Sequence, residues 1–97
     1  MAVTGTRYTV DSTTPIPIPV DDNDNRRGMV FIIQNPHSEN RHLLLGGPNL
    51  NTTTNRGYEL MGGDSLHITF PLQYDDVIYA LAESGTGLNF TVLAIGV

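Results

Sequence analysis

The chain has 97 residues, with 10 acidic against 5 basic side chains, a net charge of −5 and no cysteine. Its length predicts one domain, and the lack of cysteine excludes disulfides and thiolate metal sites. The acidic balance argues against nucleic-acid binding, which needs clustered cations, and no apolar run approaches the roughly 20 residues of a membrane span.

The N-terminal part is polar and proline-rich. Residues 1–15 are predicted to form an N-terminal arm or an edge strand, and residues 16–97 a single β-sandwich domain. In Pro15–Val20 the alternating prolines remove every second backbone donor, which excludes a central strand. We therefore expect an edge strand or a polyproline-like ribbon, with Ile16, Ile18 and Val20 on one face.

A charge run and then an apolar run follow. The run 21–25 resembles a calcium loop, but Arg26 stands at the next ligand position and no glutamate closes the loop, so a solvated turn is predicted. Residues 29–33 are five apolar residues in a row and predict a central β-strand. Val30 and Ile32 share one face and Met29, Phe31 and Ile33 the other. One face is expected to meet the core and the other a neighbouring layer or subunit.

The remainder of the chain predicts short strands separated by turns. The predicted strands are 42–45, 57–61, 65–70, 77–82 and 88–95, with a polar loop or weak strand at 49–55. Gly62–Asp64 reads as a hairpin turn, and Leu66, Ile68 and Phe70 are expected to point inward. No stretch keeps helical periodicity over two turns. Seven or eight short strands predict an all-β fold, an antiparallel β-sandwich or jelly roll.

Residues with catalytic or metal-binding chemistry are few and scattered. His37 lies in a turn, and His42 and His67 lie on separate strands and would have to meet in space to bind a metal. The serines lack the sharp strand-to-helix elbow of a hydrolase nucleophile. No catalytic residue, metal ligand or cofactor is therefore predicted. The four tyrosines, together with asparagine-rich loops, leave sugar binding open as an alternative.

The order of glycine-containing turns in residues 28–97 is similar to that of a known class of small β-sandwich protein. An apolar strand ends at Asn35, and Leu45-Gly46, the threonines 52–54, Gly63-Asp64, the run 76–80 and Gly85-Thr86 follow before the last strand. This order is similar to that of small β-sandwich virion proteins of tailed bacteriophages, especially head decoration or cement proteins. The resemblance implies a non-enzymatic, jelly-roll-like subunit, assembled in the host cytoplasm and bound to the capsid exterior.

The resemblance also implies partners. A homodimer or homotrimer that binds the major capsid protein is expected, without nucleic acid, membrane or cofactor. Charged residues make up only 15% of the chain, below the usual quarter, and all five basic residues are arginine, which interfaces favour. The predicted oligomer or capsid interface consists of Ile16, Ile18, Val20, Arg26, Arg27, Met29, Phe31 and Ile33. The alternative is a tail or fibre-associated module that binds host glycan through tyrosine and asparagine side chains in its loops, with Tyr58 and Tyr74 as the residues to test.

Overall fold

The computed structural model describes residues 3–18, 30–69 and 77–95. Over these residues the chain forms eight β-strands. They are β1 (Val3–Val10), β2 (Ile16–Ile18), β3 (Val30–Gln34), β4 (Leu43–Gly46), β5 (Tyr58–Leu60), β6 (Ser65–Thr69), β7 (Ile78–Ala82) and β8 (Leu88–Ile95). The described part of the chain contains no helix, and hence none able to cross a membrane.

The strands form two four-stranded sheets. Sheet A has the order β1-β8-β3-β6, and sheet B has the order β2-β7-β4-β5. Every paired neighbour is antiparallel. The predicted all-β, antiparallel β-sandwich is therefore confirmed, with its eight strands. The finer jelly-roll arrangement stays a prediction, because the β2–β3 and β6–β7 connections lie largely outside the described residues.

One apolar core fills the space between the sheets. Sheet A contributes Phe31, Ile33, Phe90 and Val92, which are all at most 3% exposed. Sheet B contributes residues such as Leu43, and Tyr8 of β1 stacks on Phe90 with ring centroids 5.5 Å apart. Alternation along each strand explains this core, since only every second residue of a strand can face the opposite sheet.

The structure corrects the predicted interface on the central strand. Phe31 and Ile33 are 2% and 0% exposed in the core, so they are not available to a neighbouring subunit. The reason lies in the partner strand: Phe31 pairs with Ile68 and Ile33 with Leu66, and both partners pack against the core. Because the alternating polar residues of β6 fix which way Leu66 and Ile68 point, the β3 face paired with them turns inward.

The proline-rich strand β2 also differs from the prediction. Ile18 is 1% exposed in the core, so its predicted role at an interface is also wrong, while Ile16 is partly buried and packs against the core. The strand β2 does lie at an edge of sheet B, where Pro17 lacks the donor that a further neighbour would need. Four other predicted interface residues fall outside the described residues: Val20, Arg26, Arg27 and Met29.

A buried asparagine directly after β3 is hydrogen-bonded to the turn at Gly62–Asp64, which the sequence predicted to be a hairpin turn. Asn35 is fully buried; its backbone N–H donates to Asp64, and its carbonyl accepts from Gly63. The turn joins β5 of sheet B to β6 of sheet A, so the predicted hairpin is wrong. Gly62 is required there because a Cβ atom would collide with the carbonyl oxygen of Glu39.

Candidate functional site

The outer face of sheet A carries an apolar patch. Ile32 pairs with Leu93, and Val30 pairs with Ile95, so these four side chains form a two-by-two group on the side that faces away from the core. All four are partly exposed. We call this group the outer patch. The sequence predicted two apolar faces on β3, one for the core and one for a neighbour. In the structure the outer face carries Val30 and Ile32, whereas the predicted interface had placed Phe31 and Ile33 there.

Towards the other end of its strands, the outer face of sheet A is polar. Gln34 of β3 and Arg7 of β1 both pair with Thr91 of β8, and Thr9 donates a hydrogen bond to Asn89 at 2.6 Å. A polar pocket of about 200 Å³ opens at this end. It is lined by Arg7, Pro36, Ser38, Glu39 and Asn89. Sheet A therefore presents an outer face that is apolar at one end and polar at the other.

The outer face of sheet B is covered by the loop at residues 47–57. Leu50 of this loop is 4% exposed and packs with Leu44 and Leu81, which point outward from the sheet. Hydrogen bonds within the loop stabilise its conformation, because Asn51 Oδ1 accepts from the backbone N–H groups of Thr53 and Thr54 at 2.9 and 2.8 Å. The polar 49–55 stretch is therefore a loop, one of the two predicted alternatives.

Arg56 closes this loop over the sheet through a charged cluster. Its Nη2 atom lies 3.0 Å from Glu59 Oε1 and 2.8 Å from Glu83 Oε1, and its Nη1 atom donates to the Thr52 carbonyl at 3.1 Å. His42 Nδ1 donates to Glu59 Oε1 at 2.7 Å. The cluster thus joins the loop, β5 and the ends of β4 and β7.

The cluster stabilises its own ionised groups. The Arg56 guanidinium, with a smaller contribution from His42, lowers the pKa of Glu59 from 4.5 to about 2. The backbone N–H of His42 donates to Glu83 Oε2 at 3.0 Å and, ahead of Arg56, lowers the pKa of that carboxyl. The hydrogen bonds that Arg56 donates to Glu59 and Glu83 raise the pKa of Arg56 in turn. All four side chains are at least partly exposed to solvent, so salt screens these interactions.

The cluster also has the composition of a metal-ligand set. One donor atom each from His42, Glu59 and Glu83 lie within 4.8 Å of one another. An imidazole with two carboxylates suits a divalent cation, but Arg56 already supplies positive charge to both carboxylates. A metal ion would have to displace this guanidinium, so we assign the cluster a structural role.

The predicted chemistry-bearing residues stay apart in the fold. His42 lies on the outer side of sheet B, whereas His67 pairs with Ile32 on sheet A, so the two histidines do not meet. Sequence reasoning missed the charged cluster. Only the spacing of Arg56 and Glu59 was visible in the chain, and nothing local marked Glu83 as their partner.

Comparisons of this chain with models of protein families, with curated proteins and with solved structures find no match.

Proposed function

We propose that this chain is a non-enzymatic structural protein of a virus particle, a capsid decoration or cement protein that binds across capsid subunits from outside. The observation that carries this proposal is the outer patch, which leaves Val30, Ile32, Leu93 and Ile95 partly exposed on one sheet face. Apolar surface grouped on one face and bordered by polar residues is typical of protein interaction sites.

The strand pairs support the same proposal. The first strand pairs with the last, β2 with β7, β3 with β6 and β4 with β5. These pairs are those of one long hairpin that has been rolled into two sheets, and from them we infer a jelly roll. Jelly rolls recur in viral capsid proteins and in lectins, so this fold is compatible with the proposed role.

The proposed mechanism is burial of the outer patch against the major capsid protein. Contact with a capsid subunit would remove the four side chains from water, and the polar end of the face would supply hydrogen bonds around them. A specific contact buries about 1,600 Å² in total, so the patch would be only the centre of the interface. Such a contact across a joint between subunits opposes their separation.

Binding to capsid shells that lack this protein tests the proposal. We expect the wild-type chain to co-sediment with the shells and the variants Ile32→Glu and Leu93→Glu to lose binding by at least about tenfold, because a buried unpaired carboxylate is costly. Met61→Glu is the matched control, since Met61 is apolar and 58% exposed but lies outside the outer patch. Binding that is unchanged in both patch variants, or absent in the wild type, would contradict the proposal.

One observation favours a second candidate function. Tyr58 on β5 is 57% exposed, which suits an aromatic ring that stacks on a sugar in a tail or fibre module. The other tyrosine predicted for this role, Tyr74, lies outside the described residues. A glycan array with Tyr58→Ala and Tyr74→Ala separates the two functions. Specific binding that either variant abolishes would support glycan recognition over cementing.

A further inference from the structure

The longest edge strand of the sandwich has no strand on one side among the described residues. β1 is the outermost strand of sheet A and runs for eight residues. It pairs with β8 without a break, from Val3 opposite Ile95 to Val10 opposite Leu88. With respect to the described residues, its other side therefore presents an uninterrupted row of backbone donors and acceptors, which is the template for adding another strand.

The other three sheet edges are poor templates by comparison. β2 has three residues with Pro17 at its centre, and β5 also has three residues. β6, at the far edge of sheet A, has five. Short strands and prolines are the usual devices that prevent strand addition, whereas β1 has no proline and only one charged side chain, Arg7.

We propose that β1 pairs antiparallel with β1 of a second copy of this chain, around a two-fold axis, so that two A sheets become one eight-stranded sheet. This inference goes beyond the proposed function, since it concerns contact between copies of this chain and not contact with a capsid. The surface that pairs is the backbone edge of β1. It replaces the interface predicted at Phe31 and Ile33, which are buried in the core. The self-complementary edge identifies the occupant, because an antiparallel edge meets its own copy with the same donors and acceptors.

Charge selects the register. In a two-fold pair of antiparallel strands one residue must face its own copy. An axis at Arg7 would place two guanidinium groups directly opposite each other, which destabilises a strand pair. An axis at Thr6 instead sets Thr6 against Thr6, a favoured cross-strand pair, and keeps residues 3–9 in the ladder. We therefore place the axis at Thr6.

In this register Arg7 of each copy lies opposite Gly5 of the other. A Cβ atom built on Gly5 meets nothing within 4 Å, so there is room for the arginine side chain above it. Gly5 pairs with Leu93 of the outer patch on its other side. The aliphatic stem of Arg7 from the second copy can therefore lie over Gly5 and cover the side of Leu93, while its guanidinium stays in water.

Charge exchange at the axis tests the pairing. Edge pairing of this length buries less than a standard interface, so we expect sedimentation to show a monomer–dimer equilibrium in the micromolar range. Thr6→Lys and Thr6→Glu should each raise the dissociation constant by about 100-fold, since each puts like charges face to face. An equimolar mixture of the two variants should restore the dimer. Thr86→Lys, on an exposed turn, is the control and should dimerise like the wild type.

A cysteine trap provides an independent readout of the register. The chain has no native cysteine, so Thr6→Cys can form only a disulfide between copies. Facing residues of an antiparallel pair have Cβ atoms about 4.5–5.5 Å apart, and we expect Thr6→Cys to oxidise to a covalent dimer far faster than Thr86→Cys. Circular dichroism of each variant shows whether it is folded.

Three results would overturn the inference: a wild-type monomer at millimolar concentration, a trimeric mass, or a dimer that Thr6→Lys leaves unchanged. These outcomes are separate from the shell-binding test. A chain that dimerises through β1 but ignores capsid shells refutes the proposed function alone, and a monomer that binds shells refutes this inference alone.

Discussion

At the residue scale, Asn35 has the most demanding position. It is fully buried directly after β3, and its Nδ2 atom donates to the carbonyl oxygens of Arg41 and Leu60 at 2.9 Å each. Two carbonyls fix the orientation of the amide, because only its nitrogen can donate. Among the described residues, the Oδ1 atom has no hydrogen-bond partner. One side chain therefore links the ends of β3 and β5 to the residues before β4.

We expect Asn35→Ala to destabilise the protein by about 2–4 kcal/mol, since two buried carbonyl groups lose their donor. Urea denaturation of the purified variant measures this change. The control is Asn40→Ala, at an exposed position, where a change within about 0.5 kcal/mol is expected. Equal effects of the two substitutions would show that the hydrogen bonds of Asn35 contribute little.

At the scale of the element, β3 and the 47–57 loop show that the two sheets differ in whether their outward apolar residues are covered. β3 is apolar on both faces, with Phe31 and Ile33 in the core and Ile32 in the outer patch. Sheet B has outward apolar residues as well, but there the loop covers them with Leu50. The contrast explains why the outer patch is the candidate interface and the opposite sheet is not.

Neighbouring isoleucines on β3 should differ sharply in their contribution to stability. Ile33→Ala is expected to cost about 2–5 kcal/mol, because it leaves a cavity in the core. Ile32→Ala removes side-chain atoms that water already reaches, so we expect a loss of less than about 1 kcal/mol. Thermal and urea unfolding of both variants measure the difference. The reverse order would mean that the two faces of β3 are wrongly assigned.

The charged cluster predicts a specific pH dependence of the loop. The pKa of Glu59 is lowered from 4.5 to about 2 in the folded chain, chiefly by Arg56. The contribution of this carboxylate to stability is therefore complete above pH 4.5 and is lost as the pH falls towards 2. We expect the stability difference between wild type and Glu59→Gln, followed by urea unfolding, to shrink over that interval.

Arg56→Gln serves as the control for the origin of this effect. It keeps Glu59 but removes the partner that lowers its pKa, so the stability of this variant should depend less on pH between 2 and 4.5 than that of the wild type. A wild-type pH profile in the Arg56→Gln variant would contradict the assigned cause.

At the scale of the whole molecule, β1 is an integral strand of sheet A. It pairs with β8 over its whole length, and Val10 and Tyr8 pack in or against the core. The sequence left residues 1–15 open between an arm and an edge strand, and the boundary proposed between 15 and 16 stays a prediction. The pairing of the first strand with the last nevertheless ties the N-terminal region to residues 88–95.

Deletion of residues 1–10 should therefore abolish the cooperative unfolding transition, because β8 would lose a neighbour and Phe90 its stacked ring. Thermal unfolding followed by circular dichroism measures this. Adding a synthetic peptide of residues 1–11 is expected to restore the transition. A truncated chain that unfolds at the wild-type temperature would show that this segment is an arm.

The sequence by itself determined the fold class and the strands β3 to β8, because alternation and turn residues act over a few neighbouring positions. It also determined that β3 is apolar on both faces. Only the tertiary structure decided which face is core, since Phe31 and Ile33 turn inward through their pairing with β6. It also brought Arg56 to Glu83 and the β5–β6 turn to Asn35. Those contacts join distant parts of the chain, and no local pattern of residues encodes which strand will lie beside which.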